Sequence, residues 1–549
     1  MVGNIVVAVL LLSTVCLAHV AQAGPVLEVG VDHAITFNRQ LGNEDELLFG
    51  SRAVLLRGEM VRYTPLAPAS YHGYTVYVQC SEHLTKSALQ QLSGFGSLMS
   101  AKGLIVELCD EDTTNEDMLS FFFSTTSAPL PVYFLTHGAA SQELSRLLSV
   151  AARRSMTEKV VLSVGKTLRL SELVENSTLL SAIIESQYMH KPKQARNKAA
   201  SAAAVPQVLV TAHFDSLGVS PASRTSSGAS GAVAAMELWR RLTSTPYARQ
   251  ESAAPYKVTV LLGSTSRFNY VGTTSWISQH TGKELDQFRL VLCLDELLPR
   301  REVSEDTQEL YLHVQDALVK RPHGQQLVKQ IESAAKALGI SLKVMSSKTN
   351  YHHYDLSFEH EVFASRQMAA MTLSAHRTLH IDQIFRDTRR PPVTAADAEV
   401  LAKRVDLVEA IVRIITEAAP SAEKATTVWP GAVSYIQGLL QHASESHRSP
   451  VAQNGAGLQR YVATLDHHMR AQAAAAQRTA LTSASSVTTY QDLRTPGITL
   501  FGPYEETMQI FMAKSYLFEG AVAAAALVAL LAFLHVEVGL KAVPHLFSS

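Results

Sequence analysis

Five short clusters hold the residue types that can do chemistry. The first closes an apolar run, Thr211-Ala-His213-Phe-Asp215. In such a His-x-Asp the imidazole can take a metal ion while the aspartate orients the ring. A Gly/Ser turn follows, Ser226-Ser227-Gly228-Ala-Ser230-Gly231. It opens a helix whose first amides could receive an anion. Then come Ser264-Thr-Ser266-Arg267, Leu294-Asp295-Glu296 and Phe358-Glu359-His360-Glu361-Val-Phe363. Histidine and carboxylate side chains are the groups that bind zinc and activate water. His-x-Asp by itself reads better as a hydrogen-bonded loop. Ser230 is no nucleophile, because Gly228-Ala-Ser230-Gly231 lacks the order Gly-x-Ser-x-Gly.

Sites in open α/β sheets lie just past the carboxyl ends of strands, so the elements between the clusters decide whether they meet. Apolar runs predict strands at 207–212, 256–263, 288–294, 341–345 and 368–374. Helices alternate with them. Ala232, Ala235, Met236, Trp239 and Leu242 share one helical face, Arg240 and Arg241 forming a solvated rim. A second helix covers 323–338, and a third opens at Thr394 with the capping box Thr394-Ala-Ala-Asp397. This alternation predicts an α/β fold, a largely parallel mixed sheet with helices on both faces. The core is read as 191–420. Ahead of it, 24–190 forms an N-terminal α/β segment with shorter strand runs at 74–78, 103–108 and 131–135. Behind it, 421–515 reads as helical and loop-rich. Cys293 sits inside a strand and reads as a small core residue.

Of the 549 residues 47% are hydrophobic and 18% charged, against about 25% charged in an average soluble protein. That excludes general disorder and suggests that part of the chain sits in a membrane. A net charge of −1 gives no overall field toward nucleic acid or anionic lipid. The ends agree with a membrane. Residues 1–23 read as a signal peptide closing on Ala21-Gln22-Ala23. The stretch 516–540 reads as one transmembrane helix, with a tail at 541–549. Together they predict a single-pass type I protein whose bulk is lumenal. Asn176-Ser177-Thr178 is then a glycosylation sequon at Asn176. Loss of the signal removes Cys16 and leaves three cysteines, so at most one internal disulfide forms, Cys80 with Cys109 being the favoured pair.

The five clusters, in this order, resemble the zinc aminopeptidase family with two co-catalytic metals over about 160 residues, Gln207 to Phe363. The resemblance carries His213, Asp215, Asp295 and His360 onto metal-site positions. The aspartate that bridges the two zincs falls on Ser226 or Ser227, and the Glu-Glu pair that supplies the general base and a ligand falls on Ser266 and Arg267. Two carboxylate ligands and the base are therefore missing. The resemblance thus implies a pseudo-enzyme with a vestigial site, no metal and no cofactor. Longer runs, such as TAHFDSLGVSP, FNYVGTTSWI and FEHEVFASRQMAAMTLS, together with the C-terminal approach YEETMQIFMAKSYLFEG, resemble the nicalin family, a degenerate membrane-anchored branch related to nicastrin. That resemblance implies an endoplasmic reticulum membrane subunit. Its implied partners are a lumenal protein like Nodal modulator, a small multi-pass membrane subunit and the Sec translocon, in the insertion of multi-pass membrane proteins. An exopeptidase with altered ligands and a lumenal peptide or sorting receptor stay open as alternatives.

Overall fold

The computed structural model describes residues 24–537 apart from 34–35, 41–45, 51–55, 65–70, 80–91, 93–100, 109–129, 155–157, 165–173, 177–179, 191–204, 217–226, 245–254, 267–269, 299–308, 349–355, 378–392, 417–428, 447, 449–452, 455–456, 459, 478–481, 492–497, 503–504 and 515. The cluster-bearing part is an eight-stranded sheet. Its order is β15 (Leu342–Ser347), β14 (Leu310–Gln315), β16 (Ala370–Ser374), β13 (Phe288–Leu294), β11 (Gln207–His213), β12 (Tyr256–Gly263), β10 (Leu180–His190) and β19 (Thr482–Gln491). The centre, β16-β13-β11-β12, is parallel. β14 runs antiparallel to β16, while β10 and β19 add antiparallel pairings at the other side. The sheet is therefore mixed with a parallel centre. Continuous apolar runs such as Phe288–Leu294, FRLVLCL, fit a strand covered on both faces.

Helices do cover both faces. On one lie α2 (Ser230–Thr243), α6 (Pro322–Ala337), α8 (Ala395–Thr416), α9 (Ala432–Glu445) and α10 (Arg460–Gln477), whose apolar side chains share a core with Val208, Val210 and Leu292. On the other lie α3 (Val271–Gln279) and α7 (His360–Ser365), packed on Leu209, Val291 and Cys293. The short helices α4 (Gly282–Leu285) and α5 (Asp316–Val319) connect strands. The capping box forms as its spacing predicts: the Asp397 carboxylate accepts the Thr394 amide at 2.8 Å, and Thr394 Oγ1 accepts the Asp397 amide at 3.3 Å.

α2 departs from its one-faced pattern, because α8, α9 and α10 cover its outer side. Trp239 is fully buried and donates its indole N–H to the Met469 carbonyl. Arg241, read as part of a solvated rim, is instead 1% exposed. It is paired with Glu237 at 2.9 Å, Asp406 at 2.6 Å and Glu409 at 3.0 Å. A buried guanidinium needs such partners.

The N-terminal half folds into a barrel that the sequence pattern did not announce. Its order is β1 (Leu27–His33), β21 (Glu505–Lys514), β8 (Glu158–Val164), β4 (Leu56–Arg62), β5 (Thr75–Val78), β6 (Gly103–Leu108) and β7 (Val132–Thr136), closing back on β1. Helix α1 (Ala139–Arg153) packs Leu144, Leu147 and Leu148 into its core. A four-stranded sheet joins β3 (Glu46–Gly50), β2 (Thr36–Gln40), β20 (Ile498–Gly502) and β9 (Val174–Asn176), and β17 (Gln453–Asn454) pairs with β18 (Gly457–Leu458). Strands of the stretch read as helical and loop-rich, 421–515, thus complete the barrel and both larger sheets.

The chain ends in α11 (Tyr516–Glu537). Its described side chains, Gly520 to Leu531, are exposed, with Val522, Leu527, Val528, Leu530 and Leu531 between 46% and 66%. Among the described residues no helix is long and apolar enough to cross a membrane. Residues 1–23 and 541–549, the signal and tail, lie outside the described residues.

Gly231, at the start of α2, packs directly on the strand that ends at Leu294. A Cβ there would lie 2.3 Å from the Asp295 carbonyl oxygen and 2.5 Å from that of Leu294. Both are backbone atoms and cannot swing away. Gly231→Ala is therefore expected to destabilise the chain by about 2–3 kcal/mol. A thermal melt should show a Tm lower by about 2–3 °C.

Candidate functional site

Strand ends bring four cluster residues to one cleft: His213 and Asp215 after β11, Asp295 and Glu296 after β13. Gly228 and Ser266 complete its wall, and the cavity volume is about 20 Å³, room for a single water. The carboxylates of this cleft meet protein partners, whereas both ring nitrogens of His213 are buried without a hydrogen bond. His213 Nε2 lies 3.1 Å from Glu359 Oε1, an ion pair whose alignment falls short of a hydrogen bond. The same carboxylate accepts the hydroxyls of Thr211 at 2.6 Å and Thr273 at 2.7 Å. Glu296 pairs with His376 Nε2 at 2.7 Å, Asp295 accepts from Ser374 Oγ at 2.8 Å, and Asp215 accepts the Ser266 amide at 3.1 Å.

Burial opposes charge on both members of the His213–Glu359 pair, and their proximity overrides it. Desolvation pulls the His213 pKa down, but the facing Glu359, with Asp215 and Asp295 beyond, raises it above the ordinary value. Desolvation likewise pushes Glu359 up, while His213 and the two threonines bring it below the ordinary carboxylate value. Each partner thus favours the charged form of the other against the pull of burial.

The loops carrying these groups are clamped by residues far away in sequence. Ser230 Oγ accepts the amides of Leu297 at 2.7 Å and Leu298 at 3.3 Å, so this serine braces the loop after Asp295. Arg404, its pKa lowered to about 10 by burial, donates to the Leu297 carbonyl. Arg448, fully buried, donates to the Phe214 carbonyl at 3.1 Å, and its own carbonyl accepts the Ser216 amide at 2.6 Å. Thr265 holds a positive φ of 69°, unusual for a β-branched residue, and its hydroxyl accepts the Gly272 amide at 2.9 Å. That turn sets the Ser266 amide against Asp215. Sequence reasoning singled out neither Arg404 nor Arg448, and gave Glu359 and Ser230 no part in holding this cleft. Of these only Glu359 had a signal, its place beside His360.

His360 does not join the cleft. It is fully buried at the start of α7, with Nδ1 2.9 Å from Thr372 Oγ1 and with His313 and Phe358 beside it. Ser227 lies in a short 3-10 turn, Ser227–Ala229, and its side chain is outside the described residues, as are Ser226, Arg267, Cys80 and Cys109. Asn176 ends β9, opposite Leu500, its side chain likewise outside. Zinc, implied by the aminopeptidase resemblance, does not fit the donors present: among the described residues no three His, Cys, Asp or Glu side chains converge as a ligand set. His213 faces Glu359 at 3.1 Å without a hydrogen bond, and His360 meets Thr372 of β16 through Nδ1 while its Nε2 is buried without a partner.

Burial, and secondarily the neighbouring His313, pushes the pKa of His360 down to about 3. Below its ordinary 6.5 the unfolded chain takes up a proton that the folded chain refuses, so stability falls as pH falls toward 3. Between pH 7 and 5 this group alone is expected to remove about 2 kcal/mol. His360→Asn should flatten the decline in Tm over that interval, and an unchanged slope would contradict the neutral, buried state of this ring.

No known family's sequence model matches the chain. Curated relatives do. The BOS complex subunit ncln of Danio rerio is 32% identical over 186 residues, 32% of this chain and 31% of the relative. The BOS complex subunit NCLN of Canis lupus familiaris is 26% identical over 302 residues, 52% and 51%, and that of Homo sapiens 27% over 225 residues, 38% of each. The matched segments thus span about a third to a half of the length of these relatives. Among solved structures, the crystal structure of the γ-secretase component nicastrin superposes with a TM-score of 0.59 at 8% identity, covering 88% of this chain and 99% of that one. Over these segments the chain is similar to the NCLN (nicalin) subunits, and its mixed α/β fold is like that of nicastrin.

Proposed function

We propose that the chain is a non-catalytic subunit of a membrane complex of the BOS type, a pseudo-enzyme whose former metal site has become a structural polar network. The observation that carries this reading is the His213–Glu359 pair. The imidazole best placed to take a metal faces a carboxylate clamped by Thr211 and Thr273. Ser266 stands where the related enzymes keep a catalytic glutamate, and its amide serves Asp215 instead. The cleft, with a volume of about 20 Å³, is far smaller than a peptide residue, which weighs against a peptide or sorting receptor.

The membrane placement follows the sequence. A signal at 1–23, a lumenal body divided near 190 and 420, a span at 516–540 and a tail at 541–549 make a single-pass type I protein of the endoplasmic reticulum. The run of exposed valine and leucine on α11 supports the span, because water-facing apolar surface of that extent calls for a cover. In that compartment Asn176 is the glycan acceptor and Cys80 with Cys109 the disulfide. The partners proposed with this reading are a lumenal protein like Nodal modulator, a small multi-pass membrane subunit and the Sec translocon. The complex would assist the insertion of multi-pass membrane proteins.

Purification of the full chain from membranes in mild detergent tests the proposal. The expected result is membrane partners at constant ratio, zinc well below one ion per chain, and no aminopeptidase turnover when zinc is added. One or two zincs per chain, lost in His213→Ala or His360→Ala, would overturn it in favour of an exopeptidase with altered ligands.

A further inference from the structure

Strand direction fixes which end of the barrel meets α11. β21 stops at Lys514 and α11 starts at Tyr516, with residue 515 alone between them. Consecutive Cα atoms are about 3.8 Å apart, so Lys514 stays within about 8 Å of the first helical residue. Pairing then places its neighbours. Lys514 lies opposite Glu158, the first residue of β8. β1 enters at the same end, with Leu27 opposite Ile510 and Val26 just before it. β4, antiparallel to β8, delivers Arg62 there. α1 ends there too, with Arg154 3.4 Å from Glu158.

On the side next to β21 that end gathers cations, with Glu28 and Glu158 among them, although the chain as a whole carries −1. On the far side β6, parallel to β4 through β5, leads into Asp110-Glu111-Asp112. Arg62 and Arg153 are exposed, Arg154 is 63% and Lys514 53% exposed, while Glu158, which both Arg154 and Lys514 approach, is only 19% exposed. Val26 stands among them at 53% exposure. We propose that this end of the barrel rests on the membrane surface, its exposed arginines and lysine taking the phosphate oxygens of lipid headgroups.

The proposal rests on α11 spanning the bilayer, and chain reach then does most of the work. The proposed span 516–540 would as a helix of 25 residues be about 38 Å long, enough for the ~30 Å of the hydrocarbon core. The headgroup layer beyond it is only about 5–7 Å thick. A barrel attached through one residue therefore cannot stand off from that layer. The residues it presents match the layer, since guanidinium forks pair with phosphate and a valine among them suits the apolar boundary below. Tyr516 and Phe518 open the helix at the depth where aromatic residues gather.

The test uses the full chain in phosphatidylcholine nanodiscs without partners, with a lipid carrying a quencher on its headgroup. A fluorophore is placed at Ala152→Cys, exposed near the basic end, or at Lys102→Cys, exposed just before β6 at the opposite end. The unsubstituted chain, labelled in parallel, measures the native-cysteine background. Strands of six or seven residues separate the two ends by about 20 Å. Quenching at 152 is expected to exceed that at 102 several-fold, and Arg62→Glu with Arg153→Glu should cut it about twofold. Equal quenching at the two sites, no response to charge reversal, or quenching at 152 only after a protein partner is added would each overturn the proposal. Release of the chain by alkaline carbonate would overturn the span and the proposal together. A chain that stays in the bilayer while 152 remains unquenched overturns the surface contact alone.

Discussion

His213 and Glu359 face each other behind the carboxyl ends of β11 and β13, and the geometry of the cleft depends on their attraction. Each is costly to bury as a charge alone, and each favours the charged form of the other 3.1 Å away. Thr211 and Thr273 complete the carboxylate's hydrogen bonds, so strand β11, helix α3 and the residue leading into α7 are tied at one point. A metal ion would ask His213 to turn away from this partner. The remaining carboxylates are partnered within the protein as well: Glu296 by His376, Asp295 by Ser374, Asp215 by a backbone amide.

Much of this was legible in the sequence. Apolar runs separated by helical periods gave the central strands, and Thr394 with Asp397 gave the start of α8. The rule that sites follow strand ends brought His213, Asp215 and Asp295 to one cleft. His360 matched by motif and proved to lie behind β16, because a motif counts residues and does not tell on which side of a strand a short helix sets its first side chain. Glu359 was hidden in plain view next to it. Arg241 looked like a solvated rim residue, since its burial depends on Asp406 and Glu409, some 165 positions away. No local pattern encodes such a partner.

The barrel was invisible for a related reason. Its closure needs β21, more than 300 residues after β8, to insert between β8 and β1. Short strands of ordinary composition give no sign of which sheet they will join. The same return of the chain ties barrel, sheet and α11 together, and Arg448 extends the logic to the cleft by gripping both sides of Phe214. The stretch 421–515, read as helical and loop-rich, is a brace for what precedes it.

The account stands most directly on the coupling between His213 and Glu359. Thermal unfolding of the full chain would be followed for His213→Gln, Glu359→Gln and the double variant, each with and without added zinc. If the pair replaces the metal, each single change lowers Tm because it leaves a buried charge unpaired, the double change costs clearly less than the sum, and zinc moves none of the curves. Additive losses, or a zinc-dependent rise in Tm that His213→Gln abolishes, would contradict it.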